Sequence, residues 1–205
     1  MDGVIIDSEL HWKKAELSLF KSLLHKWTEE DQHKILGMNM HEIYRLMANE
    51  YGLEITHAEY MRRVNGVAID VYTKRCNLID GFLDLVKRLK NDKIPIAIAS
   101  SSLNDWINIV LDKFELRNFF DVIVSSEDIG NKGKPAPDIY LYTAKKLQTD
   151  PKDCIAIEYS ENGVLSAKNA GMYCVGFRNG FNDMQDLSAA DVIIEGFKNF
   201  DLSIF

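Results

Sequence analysis

The run from Ile155 to Met172 constrains this chain more than any other stretch. Three apolar residues, Ile155, Ala156 and Ile157, stop at the polar trio Glu158, Tyr159 and Ser160, and a helical pattern follows through Ala170. A short apolar run that ends on polar residues and leads into a helix reads as a buried strand, a turn at its carboxyl end, and a helix packed back on the sheet. In open α/β sheets the chemistry gathers at that carboxyl edge. Glu158, Tyr159 and Ser160 are therefore the first candidates for a functional site.

The rest of the chain repeats the same grammar. Ile94–Ala99 reads as a strand ending at Ser100, Ser101 and Ser102, with a helix from about 104 to 114. Asp121–Val124 is the next strand. Lys134-Pro-Ala-Pro-Asp-Ile-Tyr140 follows a Gly-containing loop, and Pro137 suits the first turn of a helix running to about Leu147. Tyr173–Gly176 and Val192–Ile194 complete the strands. Strands alternating with helices across short links predict a doubly wound, mainly parallel, Rossmann-like α/β sheet.

Residues 8–79 break that alternation. Trp12, Ala15, Leu19 and Leu23 recur at helical spacing, Thr28 opens an acidic first turn, and Ile43, Leu46 and Met47 share one face of a helix over Met40–Glu50. Thr56 and Glu59 have capping-box spacing at the start of a further helix. This is a small all-α domain inserted into the sheet domain, giving a core of 1–7 with 80–205 and a helical unit of 8–79 hinged near Ser8 and Asp80. Trp12 lies on the apolar stripe and reads as packing, His41 as a helix-surface residue, and Lys132 as a solvated lysine.

Composition narrows the classes. The 205 residues carry a formal net charge of -7, which argues against a nucleic-acid surface. No apolar run approaches the roughly 18 residues of a membrane span, and no secretory signal is visible. Cys76, Cys154 and Cys174 are an odd number without metal-type spacing, with Cys154 and Cys174 read as buried thiols, so a reducing cytoplasm is the expected compartment. No Gly-X-Gly-X-X-Gly follows a strand, which disfavours a dinucleotide oxidoreductase.

Four motifs taken in order resemble the haloacid dehalogenase-like superfamily, in its β-phosphoglucomutase and phosphoglycolate-phosphatase branch. The opening Met1-Asp2-Gly3-Val4-Ile5-Ile6-Asp7-Ser8-Glu9 is similar to the first motif, Asp-X-Asp-Gly-Val. Aligned on Gly3-Val4, Asp2 takes the general acid/base place, and the nucleophilic Asp and its strand fall before Met1. Alternatively, Val4–Ile6 occupies that strand's place and brings Asp7 near the nucleophile position. Ser100 matches the second motif, Lys134 before Pro-Ala-Pro-Asp the third, and Glu158-Tyr159-Ser160 the fourth, with Tyr159 where the family has Asp.

The resemblance implies a helical cap over a magnesium-dependent phosphatase acting on a small phosphomonoester such as a sugar phosphate. Ser100, Ser101 and Lys134 would hold the phosphoryl group. Asp2 and Glu158, with the Tyr159 position, would mark the Mg2+ site. A phenol is neutral at pH 7 and ligates magnesium poorly, so metal binding and turnover are expected to be impaired. The cap stretch Leu36–Glu42 lacks the arginine that mutase relatives use for a second phosphate, which favours a monophosphate phosphatase over a phosphoglucomutase-type phosphotransferase. A non-catalytic phospholigand-binding protein is the other alternative. The expected partner is a small phosphorylated metabolite, and the chain is expected to be monomeric.

Overall fold

Three of the first four helices begin where a side chain can take up the free N–H groups of a first turn. The computed structural model describes residues 1–24, 26–35, 38–198 and 200, so Leu36 and Gly37 of the cap stretch lie outside the described residues. Helix α1 (Glu9–Leu23) buries Trp12 and Phe20, with Ala15, Leu19 and Leu23 partly buried against the same core. Thr28 and Asn39 cap α2 (Glu29–Lys34) and α3 (Met40–Glu50) through reciprocal boxes with Asp31 and Glu42. Thr56 caps α4 (His57–Asp70) by accepting from Glu59 N–H at 3.2 Å. The expected box there is only half made, because the Glu59 carboxylate turns to Arg62 and Arg63 instead. One π-turn, Val71–Arg75, extends α4 and closes with a Cys76 N–H to Val71 carbonyl bond of 3.1 Å.

The remaining elements alternate. Helix α5 (Phe82–Asn91) is followed by β1 (Ala97–Ser100), α6 (Asn104–Lys113), β2 (Val122–Ser125), α7 (Asp138–Leu147), β3 (Ile155–Glu158), α8 (Glu161–Asn169), β4 (Tyr173–Phe177) and β5 (Val192–Ile194). All strand pairs are parallel, and the packed helices give the expected α/β class. The strands nevertheless fall into two sheets, β1-β2 and β3-β4-β5. Among the described residues β1 pairs only with β2, and β3 only with β4.

Burial records the split. Strand β4, flanked on both sides, is buried from Cys174 to Phe177. Strands β1 and β3 instead alternate buried and half-buried residues, because one edge of each faces a cavity. The possibility that Val4–Ile6 fills the place between them is overturned. These residues form a tight turn in which Gly3 N–H bonds Ile6 carbonyl at 3.0 Å and Ile5 N–H bonds Met1 carbonyl at 2.8 Å. Gly3 itself takes a positive φ of 66°, which the turn requires. Asp7 is correspondingly remote from the site, its carboxylate accepting from Asn77 N–H at 2.6 Å.

The core is largely one cluster running from Phe20 and Tyr60 through Trp12 and Trp106 to Leu85 and Phe177. Cys76 and Cys174 are buried, but Cys154 is only half-buried, because it precedes β3 on the edge that faces the cavity. Among the described residues no helix is long and apolar enough to cross a membrane.

Candidate active site

The carboxyl ends of β1 and β3 deliver Ser100 and Glu158 to one cavity of about 530 Å³, which Asp2, Ser101, Lys134 and Tyr159 also line. The six residues singled out in the sequence are thus brought together. Ser100 is buried, and its hydroxyl oxygen accepts the Ser102 N–H at 3.1 Å. Its own O–H is left to donate. Ser101 lends its carbonyl to the Ser126 hydroxyl at 3.0 Å, which ties the serine turn to the end of β2.

Asp2 is fixed from two sides. Ser8 Oγ donates to one of its oxygens at 2.6 Å and Ser102 Oγ to the other at 2.7 Å. A carboxylate held by two hydroxyls keeps its orientation and retains lone pairs for a proton. Neither serine was singled out from the sequence. Ser8 sits in the Asp-Ser-Glu run and Ser102 in the serine cluster, but their convergence on Asp2 is a tertiary fact.

Lys134 and Glu158 form a buried ion pair. Tyr140 completes it, donating its hydroxyl to Glu158 Oε1 at 2.5 Å, while the Lys134 ammonium lies 5.0 Å from the Tyr140 ring centre. Burial pushes the Glu158 carboxyl up, but the Lys134 charge and the hydrogen bonds from Lys134 and Tyr140 outweigh it and hold the group below the usual carboxylate range. Burial raises the Tyr140 phenol well above its ordinary value, so it stays protonated and donates to Glu158, while its oxygen accepts from the Lys134 ammonium at 3.5 Å. Tyr140 lies in the first turn of α7 and Lys134 in the loop before it, and the two converge on Glu158 Oε1. Gly163 opens the next helix directly over that carboxylate, and a Cβ there would collide with it. Ser160 caps α8 by accepting the Gly163 N–H at 3.1 Å. Lys132 points away and pairs with Asp138 at 2.7 Å, mostly exposed.

Tyr159 lies against the Gly3 turn, where any Cβ would strike its ring. Its hydroxyl donates to Glu9 Oε1 at 2.7 Å. Burial raises the phenol well above its ordinary value and raises Glu9 to about 7. Glu9 is a further residue the sequence reading passed over, although it belongs to the quoted Asp-Ser-Glu run. His41, read as a surface residue, stacks on His57 with 2.9 Å between ring nitrogens, away from this cluster.

The magnesium site implied by the motifs can be tested against these donors. Magnesium wants hard oxygens in near-octahedral array. Here Glu158 is neutralised by Lys134 and the Tyr159 phenol is neutral and donating, which leaves Asp2 as the one uncompensated acid among the expected ligands. Among the described residues no group of three or more His, Cys, Asp or Glu side chains could hold a metal ion. This donor set does not fit magnesium.

Comparison with known proteins agrees with the motif order and the fold. A family model described as haloacid dehalogenase-like hydrolase matches residues 1–177. Hexitol phosphatase B of Escherichia coli K12 is 33% identical over 174 residues, covering 84% of this chain and 78% of that one. The β-phosphoglucomutase of Bacillus subtilis is 36% identical over 212 residues, covering 100% of this chain and 90% of the relative. Among solved structures, the β-phosphoglucomutase of Clostridium difficile superimposes with a TM-score of 0.79 at 26% identity, over 99% of this chain and 91% of that one. CbbY from Rhodobacter sphaeroides, in complex with phosphate, superimposes with a TM-score of 0.83 at 23% identity, over 97% and 92% of the two chains, and shares the fold. The order of the motifs, the parallel sheets with their helical segment and the match of the family model over residues 1–177 lead to one placement: the chain belongs to the haloacid dehalogenase-like hydrolases, phosphoric monoester hydrolases by family.

Proposed function

We propose that this chain binds a small phosphorylated sugar, with the phosphoryl group at the Ser100–Lys134 end of the cavity and residues 8–79 acting as a cap hinged near Ser8 and Asp80. The observation that carries this reading is the convergence of Asp2, Ser100, Ser102, Lys134 and Glu158 on one cavity at the carboxyl ends of β1 and β3. Ser100 O–H and the serine-turn backbone donate to phosphoryl oxygens. The Lys134 ammonium, now shared with Glu158, balances the phosphoryl charge. Asp2, oriented by Ser8 and Ser102, is placed to protonate a leaving alkoxide. The names of the relatives, hexitol phosphatase B and β-phosphoglucomutase, support a sugar phosphate as the ligand class.

Residues 1–205 alone are proposed to turn over little. The acids at the sheet end of the cavity are Asp2, which is committed to acid/base work, Glu158, which is neutralised, and Glu9, which accepts from Tyr159; Asp7 is held at Asn77. Without a free carboxylate the covalent route has no nucleophile. Phosphate release from a panel of sugar and alkyl phosphates, with magnesium and with excess chelator, tests this directly. The expected result is weak or absent turnover with phosphate binding that survives chelator. Strong chelator-sensitive turnover would overturn the low-activity reading, and no binding of inorganic phosphate would overturn the phosphoryl site.

A phosphoglucomutase-type transfer is the second reading, favoured by the full-length match to the Bacillus subtilis enzyme. Conversion of β-glucose 1-phosphate to glucose 6-phosphate in the presence of the bisphosphate would select it.

A further inference from the structure

The same cavity continues upward under the helical segment, and one stripe of α1 forms its wall. Glu9, Trp12, Lys13 and Glu16 all line it, at the spacing of a single helical face. Glu9 marks the lower end, where it holds Tyr159. Glu16 lies seven residues on, about 10 Å along the axis at 1.5 Å per residue.

At that upper end a hydrogen-bonded relay is already built. Trp27 Nε1 donates to Gln32 Oε1 at 3.0 Å, and Gln32 Nε2 donates to Glu16 Oε2 at 2.8 Å. Trp27 and Gln32 are both buried, so the amide is fixed in direction. The second oxygen of Glu16 has no partner among the described residues. Ile35, Met38 and Ile43, which line the same cavity, are apolar and offer none.

The surroundings decide what that oxygen can read. Burial, reinforced by Glu9, raises Glu16 to about 8, so at neutral pH the carboxyl carries a proton and can both donate and accept. An alcohol hydroxyl has the same double character. The stripe itself spans about 10 Å from Glu9 to Glu16, so a ligand with its phosphoryl group at Lys134 reaches Glu16 only if it is extended.

We propose that the Glu16–Gln32 pair is a hydroxyl-reading subsite that selects open-chain polyol monophosphates long enough to span the cavity. It rests on the phosphoryl-site reading above. It disfavours bisphosphates, whose second phosphoryl group takes the place of the hydroxyl to be read, and excludes short phosphomonoesters by reach.

The test uses the 1–205 chain and follows binding by tryptophan fluorescence, since Trp12 lines the cavity and Trp27 anchors the relay. The ligands are inorganic phosphate, glycerol 3-phosphate, hexyl phosphate, sorbitol 6-phosphate and sorbitol 1,6-bisphosphate. Sorbitol 6-phosphate should bind roughly tenfold more tightly than hexyl phosphate or glycerol 3-phosphate, the worth of one well-oriented hydrogen bond in a site that excludes water. The bisphosphate should bind more weakly than sorbitol 6-phosphate. Glu16→Leu should erase the tenfold advantage while leaving the dissociation constant of inorganic phosphate unchanged. Glu16→Gln, which keeps the shape and both hydrogen-bonding roles, should retain most of it and guards against a folding defect in the leucine variant.

Inorganic phosphate that fails to bind the unaltered chain would overturn the phosphoryl site and this inference with it. Phosphate that binds normally, with sorbitol 6-phosphate no tighter than hexyl phosphate or indifferent to Glu16→Leu, would overturn the hydroxyl subsite alone.

Discussion

The two ends of the cavity each hold a glutamate, Glu158 buried and Glu16 half-buried, and the two behave in opposite ways. Glu158 has Lys134 and Tyr140 beside it and stays ionised. Glu16 has an amide partner and no bonded cation, and burial reinforced by Glu9 pushes it up to about 8. Burial acts the same way on both; a cation within contact decides the outcome. The sheet end is therefore organised around compensated charge, and the helical end around neutral hydrogen bonding. That polarity suits a ligand charged at one end and hydroxylated at the other.

The contrast is broken most severely at Lys134. Lys134→Met should destabilise the fold by about 3–5 kcal/mol, because it strands Glu158 without a counter-charge, and should abolish phosphate binding. Urea unfolding and phosphate titration measure the two losses separately. The double variant with Glu158→Gln should recover most of the stability and none of the binding, which isolates the charge as the cause.

A smaller effect comes from pH. Glu9 and Glu16 have folded values near 7 and 8 against an unfolded value of 4.5. The native state holds their protons where the unfolded chain has released them, so stability is full below about pH 4.5 for these two groups. It is lost as pH rises toward 8. Glu16→Gln should flatten that slope and gain on the order of 2 kcal/mol at pH 8 over the unaltered chain. Thermal melts from pH 5 to 8 would show it, and parallel curves for the two proteins would remove the proton from Glu16.

Asn39→Ala should cost about 1 kcal/mol through its lost helix cap. It should also loosen the helical segment from the loop before Lys134, since Asn39 Nδ2 donates to the Asn131 carbonyl at 3.1 Å. Tyr159→Phe should cost the least, roughly 1 kcal/mol for one lost hydrogen bond to Glu9. The ring would still fill the space over Gly3.

How much of this was legible beforehand follows from the range of each interaction. Strands β3 and β4 announced themselves because an apolar run and its polar stop are local. Helix α3 was placed at Met40–Glu50 as found, because its apolar face repeats at helical spacing. The site residues were legible only as motif positions. Ser8, Ser102, Tyr140 and Glu9 acquire their roles from partners between 6 and 150 residues away, which no local pattern records. Val4–Ile6 is apolar and β-branched enough to pass for a strand, yet the Gly3 turn sends its backbone bonds back to Met1 and Ile6. The π-turn at Val71–Arg75 leaves the apolar period nearly unchanged and so gives no sequence signal.

The gap between β1 and β3 bears on how the molecule breathes. In most α/β folds the strands at the middle of the molecule are the slowest to exchange their amide hydrogens, because they open only when everything opens. Here the middle is a seam lined on both sides by strand edges that have no second neighbour among the described residues. The order should invert. Amides of β4, locked between β3 and β5, would be the last to take up deuterium, while the cavity-facing amides of β1 and β3 would exchange early, despite lying at the centre of the protein.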